Sequence, residues 1–367
     1  MIRGAIAEID LSAIASNLKV IKDLVKEKEI IAVVKADAYG HGAIEVSKKL
    51  IEEGVKYLAV AFTSEAIELR DAGINTNIIV LFDCESIKDF FDYNLIPVVH
   101  SVKTARLLAR EATKRHRSLG VHIKIDTGMG RLGLCGQDKV TEDILYISKL
   151  NGIEVKGLLS HFSEADLADK TYAEKQLNMF LKIKNVVEKK FKKSLFSHIA
   201  NSAAVISYKG AYLDAVRPGI LIYGYSPIMD KVKIDIKPVM RVKTKLLYIR
   251  KVKAGQPVSY GRTFVTKRDS KIGVIPVGYA DGYNRLLSNN ADVIVKGRRV
   301  PVVGRICMDL TMVDVTDLKD VKEGEEVVLL GRQGNNFISA DELAKRCGTI
   351  NYEILTSLGS KSRKVYV

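Results

Sequence analysis

A single lysine, Lys35, stands where an apolar run gives way to a glycine-bounded turn, in the stretch VVKADAYGHG from Val33 to Gly42. The residues Ile30, Ile31, Ala32, Val33 and Val34 before it read as a strand buried on both faces. Burial favours the neutral amine, and a neutral amine on a rigid strand is what a Schiff-base lysine needs. A lysine at a strand end also snorkels to water without any chemistry. Tyr39, Gly40, His41 and Gly42 predict a tight turn into a helix, whose free N–H groups suit an anion such as phosphate.

Other reactive side chains fall at similar places. In VHIKIDTGMGRLG, Gly128, Gly130 and Gly133 spell GxGxxG after a strand that carries Lys124 and Asp126. A dinucleotide fingerprint would open a helix directly and lead to an acidic residue at the end of the next strand. Neither follows here, so the glycines either bring Arg131 close to a ligand or simply turn the chain. His161 ends an apolar strand and is either a core residue or a catalyst. Asn201 and Ser202 precede a helical stretch, where Ser202 and nearby N–H groups can hold phosphate or merely cap the helix. Arg217, Gly219 and Ile220 lie in AVRPGILIYG, and Tyr260 lies in a turn with Gly261 in VSYGRTF.

The elements that must position these residues form two textures. From Asp10 to about Lys237, apolar runs alternate with helical patterns, beginning with a helix marked by Leu11, Ile14, Leu18 and Ile21, with Asp10 and Ser12 as N-cap oxygens. Strands are predicted at Ile30–Lys35, Tyr57–Ala61, Asn77–Phe82, Ile96–Val99, Val121–Asp126, Val155–His161, Ser197–Ala200 and Leu213–Arg217. These βα units fit a TIM-type (β/α)8 barrel, whose chemistry sits at the C-terminal strand ends, where Lys35, Lys124, Asp126, His161 and Arg217 fall. From Pro238 to Val367, β-type runs separated by glycine and charged turns predict a mostly antiparallel C-terminal β domain, with helical periodicity only at Ser339–Cys347. Residues 1–9 are expected to pack on it, and the junction falls near residues 232 to 240.

Composition narrows the function classes. The net charge of +15 comes from lysines scattered along helix faces, and the one dense cluster, Lys189 to Lys193, reads as a solvated helix end rather than a nucleic-acid site. No segment is long and apolar enough for a membrane span, and the N-terminus lacks an apolar secretory core, so a cytoplasmic protein is expected. Cys84, Cys135, Cys307 and Cys347 have no CxxC spacing, which suits reduced thiols rather than disulfides or a metal site.

VVKADAYGHG, VHIKIDTGMGRLG, HIANSAAV, AVRPGILIYG, VSYGRTF, GYADGYNR, VVGRICMDL and INYEIL follow in this order across nearly the whole chain. Together they resemble the alanine racemase family, pyridoxal-phosphate enzymes built from a barrel and a β domain. The resemblance implies a homodimer with shared active sites that racemises alanine and supplies D-alanine for peptidoglycan. It implies that Lys35 bonds the cofactor and, with Tyr260 reaching across the dimer interface, forms a pair of catalytic bases on opposite faces. It implies further that Tyr39, Arg131, His161, Asn201, Ser202, Arg217, Gly219, Ile220 and Tyr352 contact the cofactor. Arg131 would meet the phenolic oxygen, Arg217 the pyridine nitrogen, and the Gly219 and Ile220 N–H groups and Tyr352 the phosphate. Arg131, Met308 and Asp309 would serve the substrate, Tyr283 would lie near the mouth, and Lys124 is the position that some members carry carbamylated. Leu310, where many members have a polar residue, and the tail SLGSKSRKVYV, without the usual Val-Pro-Arg, depart from the pattern. A decarboxylase of the same architecture is disfavoured by the tyrosine in VSYGRTF, and a barrel-only cofactor carrier by the long C-terminal region.

Overall fold

The computed structural model describes residues 4–83, 85–228 and 234–367, so Cys84 and the start of the expected junction, residues 232 and 233, lie outside the described residues. The chain divides into two compact units, one of residues Ile14–Ala36 and Ile44–Lys237, the other of Met1–Ala13, Asp37–Ala43 and Pro238–Val367.

The first unit is an eight-stranded closed parallel barrel. After β1 (Ile6–Ile9), which belongs to the other unit, the barrel strands are β2 (Glu29–Val33), β3 (Tyr57–Val60), β4 (Asn77–Val80), β5 (Ile96–Val99), β6 (Leu119–Lys124), β7 (Ile153–Leu159), β8 (Phe196–Asn201) and β9 (Ala215–Arg217). Each pairs with its successor, and β9 closes on β2 through Glu29 opposite Ala215 and Ile30 opposite Val216. Strands of this kind are sheathed on both faces, which is why Ile31, Ala32, Leu58, Ile78, Val98, Ile123 and Leu158 are fully buried. The eight predicted strands are all present, Ile96–Val99 with the expected bounds and the others with an end shifted by one or two residues.

The first helix, α1, runs Leu11–Val25, and the Asp10 carboxylate accepts from the Ala13 N–H at 2.9 Å as its cap. Its buried Asn17 donates to the Ile222 and Lys237 carbonyls and accepts from the Lys237 N–H, so both its donors and its oxygen are engaged.

Between β2 and the helix α3 (Ala43–Glu52) the chain departs from expectation. Lys35–Tyr39 forms a short helical turn, α2, in which Ala36, Asp37, Ala38 and Tyr39 all have φ between +51° and +54°. A left-handed turn costs roughly 1–2 kcal/mol per L-residue, so it persists only where packing and hydrogen bonds hold it.

The second unit is β-rich. Its largest sheet runs in the order Arg298–Pro301, Asp292–Val295, Glu326–Gln333, Met240–Lys245, β1 and Arg363–Tyr366, antiparallel except where β1 meets the last strand. A three-stranded sheet joins Tyr248–Val252, Ser270–Ile275 and Thr311–Asp314, and a hairpin of Pro257–Val258 with Phe264–Val265 carries Tyr260 at its tip. Two helices close the unit. Ala340–Cys347, capped by Ser339, was expected, whereas Asn351–Lys361 was not. Gly359 obscured the second helix, because glycine weakens a helical pattern. In the structure it is required: a Cβ there would strike the Gly40 carbonyl.

Candidate active site

The C-terminal strand ends of the barrel gather the expected cations around a side chain that was not expected. The Lys35 Nζ and Lys124 Nζ each lie 5.3 Å from the centroid of the Phe82 ring, and the Arg131 guanidinium carbon lies 5.2 Å from it. Phe82 follows β4 by two residues, the same strand-end placement that identified the lysines, and that rule is the signal that could have found it.

Acidic groups near this cluster are engaged elsewhere. Glu65 accepts from the Ala36, Ala61 and Phe62 N–H groups. Asp126 accepts from the N–H groups of Gly128, Gly130 and Arg131 at 2.9 to 3.1 Å. The glycine loop therefore turns its N–H groups onto its own carboxylate, and Leu134 returns to bond the Lys124 carbonyl at 2.8 Å. No dinucleotide phosphate can use those donors, so the GxGxxG is a turn that delivers Arg131.

Electrostatics follow from this imbalance. Burial, then the Arg131 charge, hold the Lys35 amine below the ordinary lysine range, with Glu65 opposing. Lys124, only 4% exposed, is pushed down to about 8 by burial and then by Arg217 and Arg131. Both amines thus carry a larger neutral fraction than a surface lysine, as a carbonyl-reactive amine requires.

Arg217 ends β9 and is buried. Its Nη1 donates to the His198 ring at 2.7 Å and the His198 carbonyl at 2.8 Å, and its Nη2 to the Ser160 and Ile199 carbonyls at 2.6 and 3.2 Å. Nη2 also lies 3.3 Å from the His161 Nδ1. Because an arginine only donates, His198 accepts at Nδ1 and presents its Nε2–H to His122 Nδ1, 3.0 Å away. Burial lowers the Arg217 pKa to about 9, leaving it charged at neutral pH, and its Nε–H has no partner among the described residues. His122 is held to about 4, and His198 and His161 well below the ordinary range, by burial and then by the Arg217 charge. His122 and His198 were not singled out in the sequence.

Asn201 caps the short helix Ser202–Ser207, its side chain accepting from the Ala204 N–H at 3.0 Å. The Ser202 hydroxyl accepts from the Gly219 N–H at 2.9 Å, so these two expected residues meet, and Ile220 follows in the chain. In the other unit Tyr39 and Tyr352 pack ring to ring at 5.7 Å, and burial raises the Tyr39 phenol pKa.

Tyr260 is 67% exposed on its hairpin, and Met308 is 55% exposed. The two loops are joined by the Ser259 hydroxyl donating to the Arg305 carbonyl at 2.5 Å, while Asp309 follows Met308 in a half-buried position. Tyr283 requires correction. Its ring is fully enclosed and its hydroxyl buried, so it cannot line a mouth. Tyr279, four residues earlier, is 42% exposed and its N–H bonds the Cys307 carbonyl at 3.1 Å, beside Met308. GYADGY holds two tyrosines, and only the fold separates the accessible one from the packed one.

The barrel donor set fits a phosphorylated carbonyl cofactor: buried or half-buried cations, hydroxyl and N–H donors, and a lysine amine of lowered pKa. Among the described residues no group of three His, Cys, Asp or Glu side chains could hold a metal ion, and no helix is long and apolar enough to cross a membrane.

The chain matches sequence profiles for the alanine racemase N-terminal domain over residues 9–227 and the alanine racemase C-terminal domain over residues 239–366. It is 50% identical to an alanine racemase of Thermodesulfovibrio yellowstonii, over 98% of this chain and 97% of the relative. The fold is similar to that of the alanine racemase of Clostridium difficile, with a TM-score of 0.94 and 37% identity over 100% of this chain and 96% of the other. It is also similar to an alanine racemase of Bartonella henselae solved with covalently bound pyridoxal phosphate, with a TM-score of 0.89 and 33% identity over 99% of each chain.

Proposed function

Since the chain belongs to the alanine racemase family, we propose that it interconverts L- and D-alanine with pyridoxal phosphate held on Lys35 and with two bases, Lys35 and Tyr260. The observation that carries this reading is the cluster of Lys35, Lys124 and Arg131 around Phe82 at the barrel strand ends. When bound, the cofactor supplies a carbonyl that bonds an amine and a conjugated ring that accepts the electron pair left at the substrate α-carbon.

Lys35, with its lowered pKa, bonds the cofactor and accepts or returns a proton at its Nζ. Arg131 would attract the anionic phenolic oxygen, and addition of carbon dioxide to the neutral Lys124 amine with loss of a proton would replace a cation that repels Arg131 with a carbamate that orients it. The free Arg217 Nε–H is the donor for the ring nitrogen. A guanidinium cannot protonate that nitrogen as a carboxylic acid does, which weakens the electron sink and favours simple proton exchange over side reactions. The Ser202 hydroxyl, positioned by the Gly219 N–H that donates to it, and the Ile220 N–H would hold the phosphate, the family resemblance extends that role to Tyr39 and Tyr352, and His161 would lie beside the ring.

Met308 and Asp309 serve the substrate carboxylate with Arg131, and Tyr279 takes the place at the mouth expected for Tyr283. Racemisation removes the α-proton on one face and returns it on the other, so two fixed bases suffice without large motion. Tyr260, so exposed on its own unit, serves as the second base in the active site of a second copy, and the exposed Tyr279, Met308 and Leu310 near it suit cover by that copy. The setting proposed is the cytoplasm, with D-alanine supplied for peptidoglycan. Chiral analysis of products from L-alanine, L-serine and L-lysine, with added cofactor, tests the reading. D-Alanine is the expected product, and rapid turnover of lysine with none of alanine would overturn it.

A further inference from the structure

The left-handed turn after Lys35 is held by the end of the chain. The Asp37 carboxylate uses both oxygens: Oδ1 accepts from the Ala43 N–H at 2.7 Å, and Oδ2 pairs with the Lys364 Nζ at 2.8 Å. The Lys364 side chain is 18% exposed and that of Asp37 40%, so the pair is partly open to water and its hold on the turn is modest. Lys364 and Tyr366 lie on the terminal strand Arg363–Tyr366, fixed by its parallel register with β1. The Tyr366 hydroxyl and the aliphatic stem of Lys364 fill the space beside Gly42, and the helix Asn351–Lys361 presses its Leu355 carbonyl and Gly359 against Gly40. The turn is thus bounded by residues more than 300 positions away in the sequence, all but Leu355 of them in the tail that departs from the family pattern.

We propose that the C-terminal strand is a clamp in which Lys364, acting through Asp37 and backed by Tyr366, holds the left-handed turn Ala36–Tyr39 and so sets the reactivity of Lys35 toward its carbonyl cofactor. Lys364 is a positioning residue, since it touches neither the reacting amine nor the ring cluster around it. The proposal rests on the reading of Lys35 as the lysine that bonds the cofactor.

The test uses the full chain with Lys364→Met, Asp37→Asn, the double variant and Lys364→Arg. Two quantities are read: amide hydrogen exchange of residues 36–43 in cofactor-free protein, and the pyridoxal phosphate concentration that half-saturates borohydride-fixed label on Lys35. Lys364→Met should speed exchange in that segment and raise the half-saturating concentration, each about two- to fivefold, the size of a partly exposed ion pair. Lys364→Arg should restore both, and the double variant should be no worse than Asp37→Asn alone. Unchanged exchange in the segment, or an increase spread evenly over the chain, would overturn the clamp. Faster local exchange with unaltered cofactor binding would overturn its link to Lys35. If the wild type fixes no label at all, the functional reading fails, and the exchange result alone decides whether the clamp exists.

Discussion

At the scale of residues, the site depends on where protons and charges are stable. Lys35→Ala should abolish borohydride fixation of pyridoxal phosphate to the chain and lower racemisation by about 10^3-fold or more, because covalent activation and one base are lost together. Fixation that survives would show that another lysine bonds the cofactor. Tyr260→Phe removes only a hydroxyl, so fixation should persist while racemisation collapses. In deuterated water this variant should exchange the α-proton of D-alanine faster than that of L-alanine, as NMR can read, if Lys35 serves the D face. Lys124 gives a prediction about stability. Its amine is at about 8 in the folded chain and near 10.5 when unfolded, so below pH 8 the fold carries the cost of a charge it disfavours, and that cost fades as pH rises toward 10.5. In cofactor-free protein Lys124→Met should therefore raise unfolding free energy at pH 7, by up to ~3 kcal/mol, and the gain should shrink by pH 10. Urea melts at the two pH values measure it, and a gain independent of pH would contradict the charge argument.

At the scale of elements, two features place the chemistry. The first is the left-handed turn, whose neighbour Gly42 has φ +94° and no room for a side chain beside Tyr366. Gly42→Ala adds backbone strain to a steric clash and should destabilise the chain by roughly 2–4 kcal/mol, seen as a lowered urea midpoint. The second is the buried relay from β9 to β8 to β6, Arg217 to His198 to His122, which holds the guanidinium from behind. Both histidines stay neutral in the fold far below the pKa of about 6.5 they regain on unfolding, so the unfolded state takes up protons that the native state refuses. Stability should fall as pH drops below about 6.5, by up to about 1.4 kcal/mol per pH unit for each histidine. His122→Phe should flatten part of that slope in acid denaturation curves.

At the scale of the whole molecule, the two proposed bases lie in different compact units, Lys35 in the barrel and Tyr260 in the β-rich unit. A shared-site dimer makes complementation possible. If Lys35→Ala and Tyr260→Phe subunits exchange freely, about half the dimers are mixed, and a closed two-fold arrangement gives each of these one intact site. Activity should recover to roughly a quarter of wild type per subunit, for independent sites and random pairing. No recovery, with mixed dimers confirmed by native mass spectrometry, would rule out sites built from two copies.

Much of this protein is legible in one dimension. Apolar runs of strand length alternating with helical periods specify a parallel barrel, because strands sheathed on both faces need continuous apolar sequence, and the strand-end rule then places Lys35, Lys124, His161 and Arg217 on the reactive side. The change to short β runs after Pro238 is equally local. What the tertiary structure decided are matters of distant partners. Ala36 to Tyr39 carry no signal for a left-handed turn, since contacts with a tail over 300 residues later hold it. Phe82 gains its role only when Lys35 after β2 and Lys124 and Arg131 from the end of β6 and its loop converge on its ring, and His122 meets His198 across 76 positions. Tyr279 and Tyr283 share one motif, yet packing buries one and exposes the other. Local pattern encodes which face of an element is apolar, whereas the identity of the neighbour on that face depends on closure of the whole chain.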